Sequence, residues 1–208
     1  MIPIETIGLF LTASIALALV PGPDNIFVLM QSAIFGRKAG LQVTLGLCTG
    51  LIAHTLAVTL GVAVIFQTSA LAFNVLKFAG AIYLLYLAVQ AFKSKPVHQE
   101  GQQYPSLSWR QLYLRGIIMN ATNPKVAIFF LAFLPQFTNP VLGSVTTQLL
   151  ALGGLFIVSS LLVFGLIAWF SGYLGEWFKA SERAQVIMNR VAGTVFAGLA
   201  LRLAVSER

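Results

Sequence analysis

The sequence predicts an all-α integral membrane protein: six transmembrane helices forming two inverted three-helix repeats, with spans one and four interrupted at proline motifs. Three observations carry this. Of the 208 residues 58% are hydrophobic and only 9% are charged, where a soluble domain carries about 25% charged residues. The apolar residues gather into six runs near the length of about 20 residues that crosses a bilayer. In the first and fourth runs, prolines bring a charged residue to membrane depth.

The first run, residues 4–35, would be roughly 48 Å long as a continuous helix, against a hydrocarbon core of about 30 Å. It must tilt steeply or break, and Pro21-Gly22-Pro23-Asp24-Asn25 offers the break. Pro21 and Pro23 lack N–H groups and would leave the carbonyls of Leu17 and Leu19 without helical partners, while Gly22 admits unusual dihedrals. Asp24 and Asn25 fit the start of a new half-helix, where side-chain oxygens cap free N–H groups. A plain proline kink is the bland alternative. A cap needs no charge at membrane depth, so a functional Asp24 is the preferred reading.

Span two, 41–66, spaces Gln42, Gly46, Gly50 and His54 four residues apart, on one helical face. Gly46 and Gly50 read as a close-packing pair. His54 reads first as a hydrogen-bonding residue across helices and second as a proton-relay candidate. The single cysteine, Cys48, excludes an intramolecular disulfide. Span three, 70–92, carries Lys77 near one end, where it can snorkel, with Tyr83 and Tyr86 as packing or interfacial aromatics. A polar linker with Pro96 and Pro105 follows over 93–111. In span four, 112–137, Asn120-Ala121-Thr122-Asn123-Pro124-Lys125 repeats the logic of span one. Pro124 frees the carbonyl of Asn120, and Lys125 lies too deep for easy snorkelling. It either pairs with Asp24 or contacts substrate. Span five, 145–171, offers only Ser159 and Ser160 at its centre; span six, 186–205, has a small face at Asn189, Gly193 and Ala197.

Nine of the thirteen Lys and Arg residues fall on one side: Arg37, Lys38, Lys93, Lys95, Arg110, Arg115, Lys179, Arg183 and Arg190. The positive-inside rule then puts the linker in the cytoplasm and both termini outside it. The linker divides one transmembrane domain, 1–208, into repeats of about 1–92 and 112–208. An odd number of spans per repeat inverts the second. Lys77-Phe78-Ala79-Gly80 and Arg190-Val191-Ala192-Gly193 open spans three and six, just as Pro23-Asp24 and Pro124-Lys125 interrupt spans one and four. Paired interruptions of this kind point to a transporter's binding site.

A net charge of +7 could suit nucleic acid, but the basic residues are spread thinly between apolar blocks. No basic n-region precedes the first apolar run, which argues against a cleaved signal peptide despite Ala16-Leu17-Ala18. There is no P-loop, triad pattern or metal-ligand cluster, so the chain reads as neither an enzyme nor a cofactor binder. A free amino acid fits both charges, with an acceptor such as Asp24 or a freed carbonyl for the ammonium and a donor such as Lys125 for the carboxylate. Two alternatives stand beside it: a metal or other cation exporter, weakened because Asp24 is the lone carboxylate deep in the spans, and a non-transporting membrane scaffold.

Several stretches together resemble the LysE/RhtB superfamily of bacterial amino-acid exporters, in the homoserine, threonine and leucine exporter branch. They are Val20 through Asn25, Gly36-Arg37-Lys38-Ala39-Gly40, Gly46 to His54, Leu76 to Leu84, Thr122-Asn123-Pro124-Lys125 and Phe133-Leu134-Pro135-Gln136-Phe137. The resemblance implies a secondary transporter of the bacterial inner membrane. It would export small neutral amino acids or their derivatives in exchange for protons, as a homo-oligomer. By the same resemblance Asp24, Asn25, Asn123 and Lys125 become functional candidates. Relatives vary between Asp and Asn at the position of Asp24, and commonly have glycine at that of Ala88, where a packing adjustment is expected.

Overall fold

The structure, a computed structural model, describes residues 2–20, 22–62, 70–93, 106–171 and 182–205. Pro21, the end of the predicted second span at 63–66, linker residues Lys95, Pro96 and Pro105, and also Lys179 and Arg208 lie outside the described residues. Among the described residues the regular structure is entirely helical. The described residues form eight α-helices: α1 Ile4–Leu19, α2 Pro23–Phe35, α3 Arg37–Ala57, α4 Ala70–Lys93, α5 Trp109–Ala121, α6 Pro124–Ile128, α7 Val145–Trp169 and α8 Glu182–Val205. A π-helical turn, Val58–Val62, extends α3; a second, Phe129–Phe133, and a 3₁₀ turn, Leu134–Phe137, extend α6.

Among the described residues two segments are each long and apolar enough to cross a bilayer, Arg37–Gly61 and Val145–Trp169, of 25 residues each. At 1.5 Å per residue such a helix is about 37 Å long, enough for a core of about 30 Å with some tilt. Two bent pairs meet the same test as single segments. Ile4–Leu19 and Pro23–Phe35 meet at 62°, and Trp109–Ala121 and Pro124–Phe137 at 48°. These are the two segments in which the sequence predicts breaks.

Local chemistry sets the helix ends. Gly36 lies alone between α2 and α3 at φ +87°, a left-handed value that suits glycine and turns the chain sharply beside Arg37 and Lys38. Ser108 and Gln111 form a capping box: the Gln111 backbone N–H donates to Ser108 Oγ, and the Ser108 N–H donates to Gln111 Oε1 at 2.8 Å. Both α3 and α5 therefore start a few residues before the apolar runs that predict them.

α3 packs against α2, α5 and α7, while α4 packs along α8. One core holds Val28, Val43, Leu47, Leu112 and Phe164, between α2, α3, α5 and α7. The other is aromatic. Phe129 of the π turn sits between Phe10, Phe133 and Phe156 with ring centroids 5.0–6.2 Å apart, and Phe130 meets Phe156 edge-on at 5.1 Å. Large apolar side chains such as Ile52, Leu85, Leu162 and Leu166 remain exposed, a distribution that lipid tolerates better than water. Ala88 is buried in the α4 packing face, where the expected adjustment is one of packing.

Candidate functional site

Each break is a proline starting a half-helix. Pro23 is the first residue of α2 and Pro124 the first of α6, where a missing N–H costs nothing. Gly22 precedes Pro23 in extended conformation (φ −164°), and Asn123 precedes Pro124 at φ −76°, ψ 109°. The second residue of each half-helix is charged, Asp24 in α2 and Lys125 in α6.

The breaks engage each other. Asn123 Nδ2 donates to Asp24 Oδ2 at 2.9 Å, both side chains being buried. Lys125 Nζ donates to the carbonyls of Leu17 at 3.4 Å and Val20 at 3.3 Å, and lies 3.3 Å from where a β-carbon on Gly22 would stand. The Leu17 carbonyl is one that the proline motif was expected to free. A cation suits this end of α1, because a helix C-terminus presents unpaired carbonyls and the negative end of its dipole. Asp24 thus accepts from Asn123 and lies within the field of Lys125, whose ammonium hydrogen-bonds to the end of α1.

Capping differs between the two breaks, which corrects one expectation. Neither Asp24 nor Asn25 caps α2, since its N-cap is Gly22 and no side chain bonds there. Asp24 reaches across to Asn123, and Asn25 Nδ2 donates back to the carbonyl of Ala18. The capping side chain is Asn123, whose Oδ1 accepts from the Lys125 backbone N–H at 3.0 Å while its Nδ2 holds Asp24. One amide uses both ends to join the two breaks.

The freed carbonyl of Asn120 accepts from the Asn123 N–H at 2.9 Å and lies 3.0 Å from His54 Nε2. Because a carbonyl only accepts, Nε2 carries the proton. His54 therefore stands beside the span-four break, hydrogen-bonded across helices. Its face delivers it there. A β-carbon at Gly46 would run into the carbonyl oxygen of Tyr113 and come within 3.0 Å of Gly116 Cα, and one at Gly50 would come within 2.8 Å of Asn120 Cβ. These glycines let α3 and α5 touch through their backbones.

Three buried oxygens around the junction have no hydrogen-bond partner: Asp24 Oδ1, Asn25 Oδ1 and Asn120 Oδ1. The Asn120 side chain lies beside the Asp24 carboxylate. Sequence reasoning missed the Asn120 side chain and recorded only its carbonyl; its position one helical turn before Pro124 was the available signal. Unpaired buried acceptors are uncommon and destabilising, by about 1–3 kcal/mol each. Here they surround a carboxylate, so the site is complementary to a donor-rich cation or to protons.

Two broken helices that lock together through buried polar side chains are the kind of site that translocators build. The kind of translocator is given by comparison: the LysE type translocator model matches residues 15–207, and the chain belongs to that family. It is similar to the homoserine/homoserine lactone efflux protein of Salmonella typhimurium, at 32% identity over 187 residues covering 90% of each chain. It is also similar to two proteins described as uncharacterized membrane proteins. YrhP of Bacillus subtilis is 27% identical over 199 residues, 91% of this chain and 94% of the relative; one from Vibrio cholerae is 28% identical over 199 residues, 95% and 96%. No solved structure matches the chain.

Proposed function

We propose that this translocator is a secondary exporter of small neutral amino acids or their derivatives, of threonine, homoserine or leucine type. It would act across the bacterial inner membrane by exchange with protons. The observation that carries this reading is the junction of the two breaks. Unpaired oxygens of Asp24, Asn25 and Asn120 suit an α-ammonium, and Lys125, with two of its three N–H donors on α1 carbonyls, retains one for an α-carboxylate. Asp24 is the candidate proton carrier, since protonation would relieve its unpaired oxygen when substrate leaves. His54 borders the pathway and steadies the Asn120 carbonyl. Family membership and the efflux activity named for the Salmonella relative support the substrate class.

The proposed architecture is six spans in two inverted repeats, with both termini outside the cytoplasm. The pairing of counterparts supports it, span two (α3) on span five (α7) and span three (α4) on span six (α8), as a two-fold axis in the membrane plane would give. Rocking one repeat against the other would then expose the junction alternately to the two sides. Assembly as a homo-oligomer belongs to the same reading. The test is efflux from proteoliposomes preloaded with labelled threonine, homoserine, leucine or lysine, with and without a pH gradient. Gradient-sensitive efflux of a neutral member is expected; no efflux of any member from folded protein would contradict the reading.

A further inference from the structure

Beyond the junction, a cavity of about 240 Å³ opens between α2 and α5. Its lining follows one stripe of α2, Pro23, Phe27, Met30 and Gln31, and faces Arg115 and Met119 on α5. From Pro23 to Gln31 the stripe spans about 12 Å at 1.5 Å per residue. The cavity therefore leads from the residue before Asp24 toward the end of the molecule where Arg37 and Arg110 lie. Pockets for drug-sized ligands are roughly 300–1,000 Å³, so this one suits a smaller molecule.

Two polar groups stand in these apolar walls, and each lacks its natural complement. Gln31 is 2% exposed, and its Oε1 has no hydrogen-bond partner. Arg115 is exposed, its guanidinium carbon 4.9 Å from the centroid of the Phe27 ring, and no carboxylate of the described residues pairs with it. From the sequence alone Arg115 reads only as one of the basic residues that set orientation. A guanidinium braced on an aromatic face keeps its planar fork for a carboxylate. The Gln31 oxygen is closed off from the cavity, so the polar group presented to a ligand is the guanidinium.

We propose that this cavity is a second amino-acid site, a vestibule that loads the junction, in which Arg115 takes the carboxylate. Met30 and Met119 form its adaptable walls, which suits short side chains of varied shape. The proposal rests on the amino-acid reading of the junction and adds a place and a residue that the motifs do not name. Arg115 here is a binding residue for the incoming substrate, separate from Asp24 and Lys125.

The test uses two probes that share the α-ammonium and differ at the carboxyl end, homoserine and homoserine lactone. Each is followed by counterflow into proteoliposomes carrying wild type, Arg115→Gln or Arg115→Lys. Arg115→Gln is expected to raise KM for homoserine roughly ten- to a hundredfold and to leave KM for the lactone within about twofold, the loss of one charge-assisted carboxylate contact. Arg115→Lys, which keeps the orienting charge, is expected to fall between. Transport of the lactone by the same variant certifies its fold. An equal loss for both probes, or an unchanged KM for homoserine, overturns the proposal. Wild-type protein that melts cooperatively yet carries neither probe overturns the amino-acid reading itself, and the vestibule with it.

Discussion

Asp24 and Lys125 hold the same place, second in a half-helix behind a proline, and carry opposite charges. A helix N-terminus favours an anion and disfavours a cation. The start of α2 thus favours the charge of Asp24, whereas the ammonium of Lys125 turns away from its own helix to the carbonyls that end α1. The sequence revealed both charges, both prolines and the freed carbonyls of Leu17 and Asn120, because those follow from local covalent chemistry. It did not reveal that Asn123 would cap α6 and hold Asp24 together, nor that Gln31 and Arg115 would share a cavity. Those depend on which faces of α2, α5 and α6 meet, and a single apolar sequence does not encode that in its periodicity. Replacing Lys125 by Met should leave the Leu17 and Val20 carbonyls without their donor. A loss of about 1–3 kcal/mol for each is expected, read as a lower midpoint of thermal unfolding in detergent. An unchanged midpoint would show that the interlock contributes nothing to the fold.

At the scale of elements, the breaks were legible and the helix starts less so. Hydropathy begins the second and fourth spans at 41 and 112, whereas the helices begin at Arg37 and Trp109, because Gly36 and Ser108 stop the preceding chain outside the apolar run. The π turns at Val58–Val62 and Phe129–Phe133 leave no trace in hydropathy. The second of them gathers the Phe cluster of the core. The small-residue stripe of span two was legible as packing, and its partner is α5. Gly46→Ala should lower stability by about 1–3 kcal/mol, the cost of overpacking, since its β-carbon would meet the Tyr113 backbone carbonyl and Gly116 Cα rather than a flexible side chain. Gly154→Ala, in α7 with nothing within 4 Å of its β-carbon, is the control and should melt close to wild type. Equal melting of the two variants would contradict the close contact of α3 and α5.

For the whole molecule, the basic residues argue for orientation and the paired contacts of α3 with α7 and α4 with α8 argue for two inverted halves. If the linker is cytoplasmic, Ser106→Cys, at an exposed position, should react with a membrane-impermeant maleimide only after cells are permeabilised. The native Cys48 is 7% exposed and should add little background. Labelling in intact cells would reverse the proposed orientation.

If the junction of the two breaks both binds the exported molecule and couples it to protons, wild type and Asp24→Asn must differ in their response to a pH gradient. Both proteins, reconstituted at equal density and preloaded with the labelled neutral amino acid that wild type carries, would be assayed for efflux with and without an imposed pH gradient. The gradient is expected to accelerate efflux by wild type and to leave the variant's residual efflux unchanged. An Asp24→Asn protein that still responds to the gradient as wild type does would contradict proton coupling at the junction.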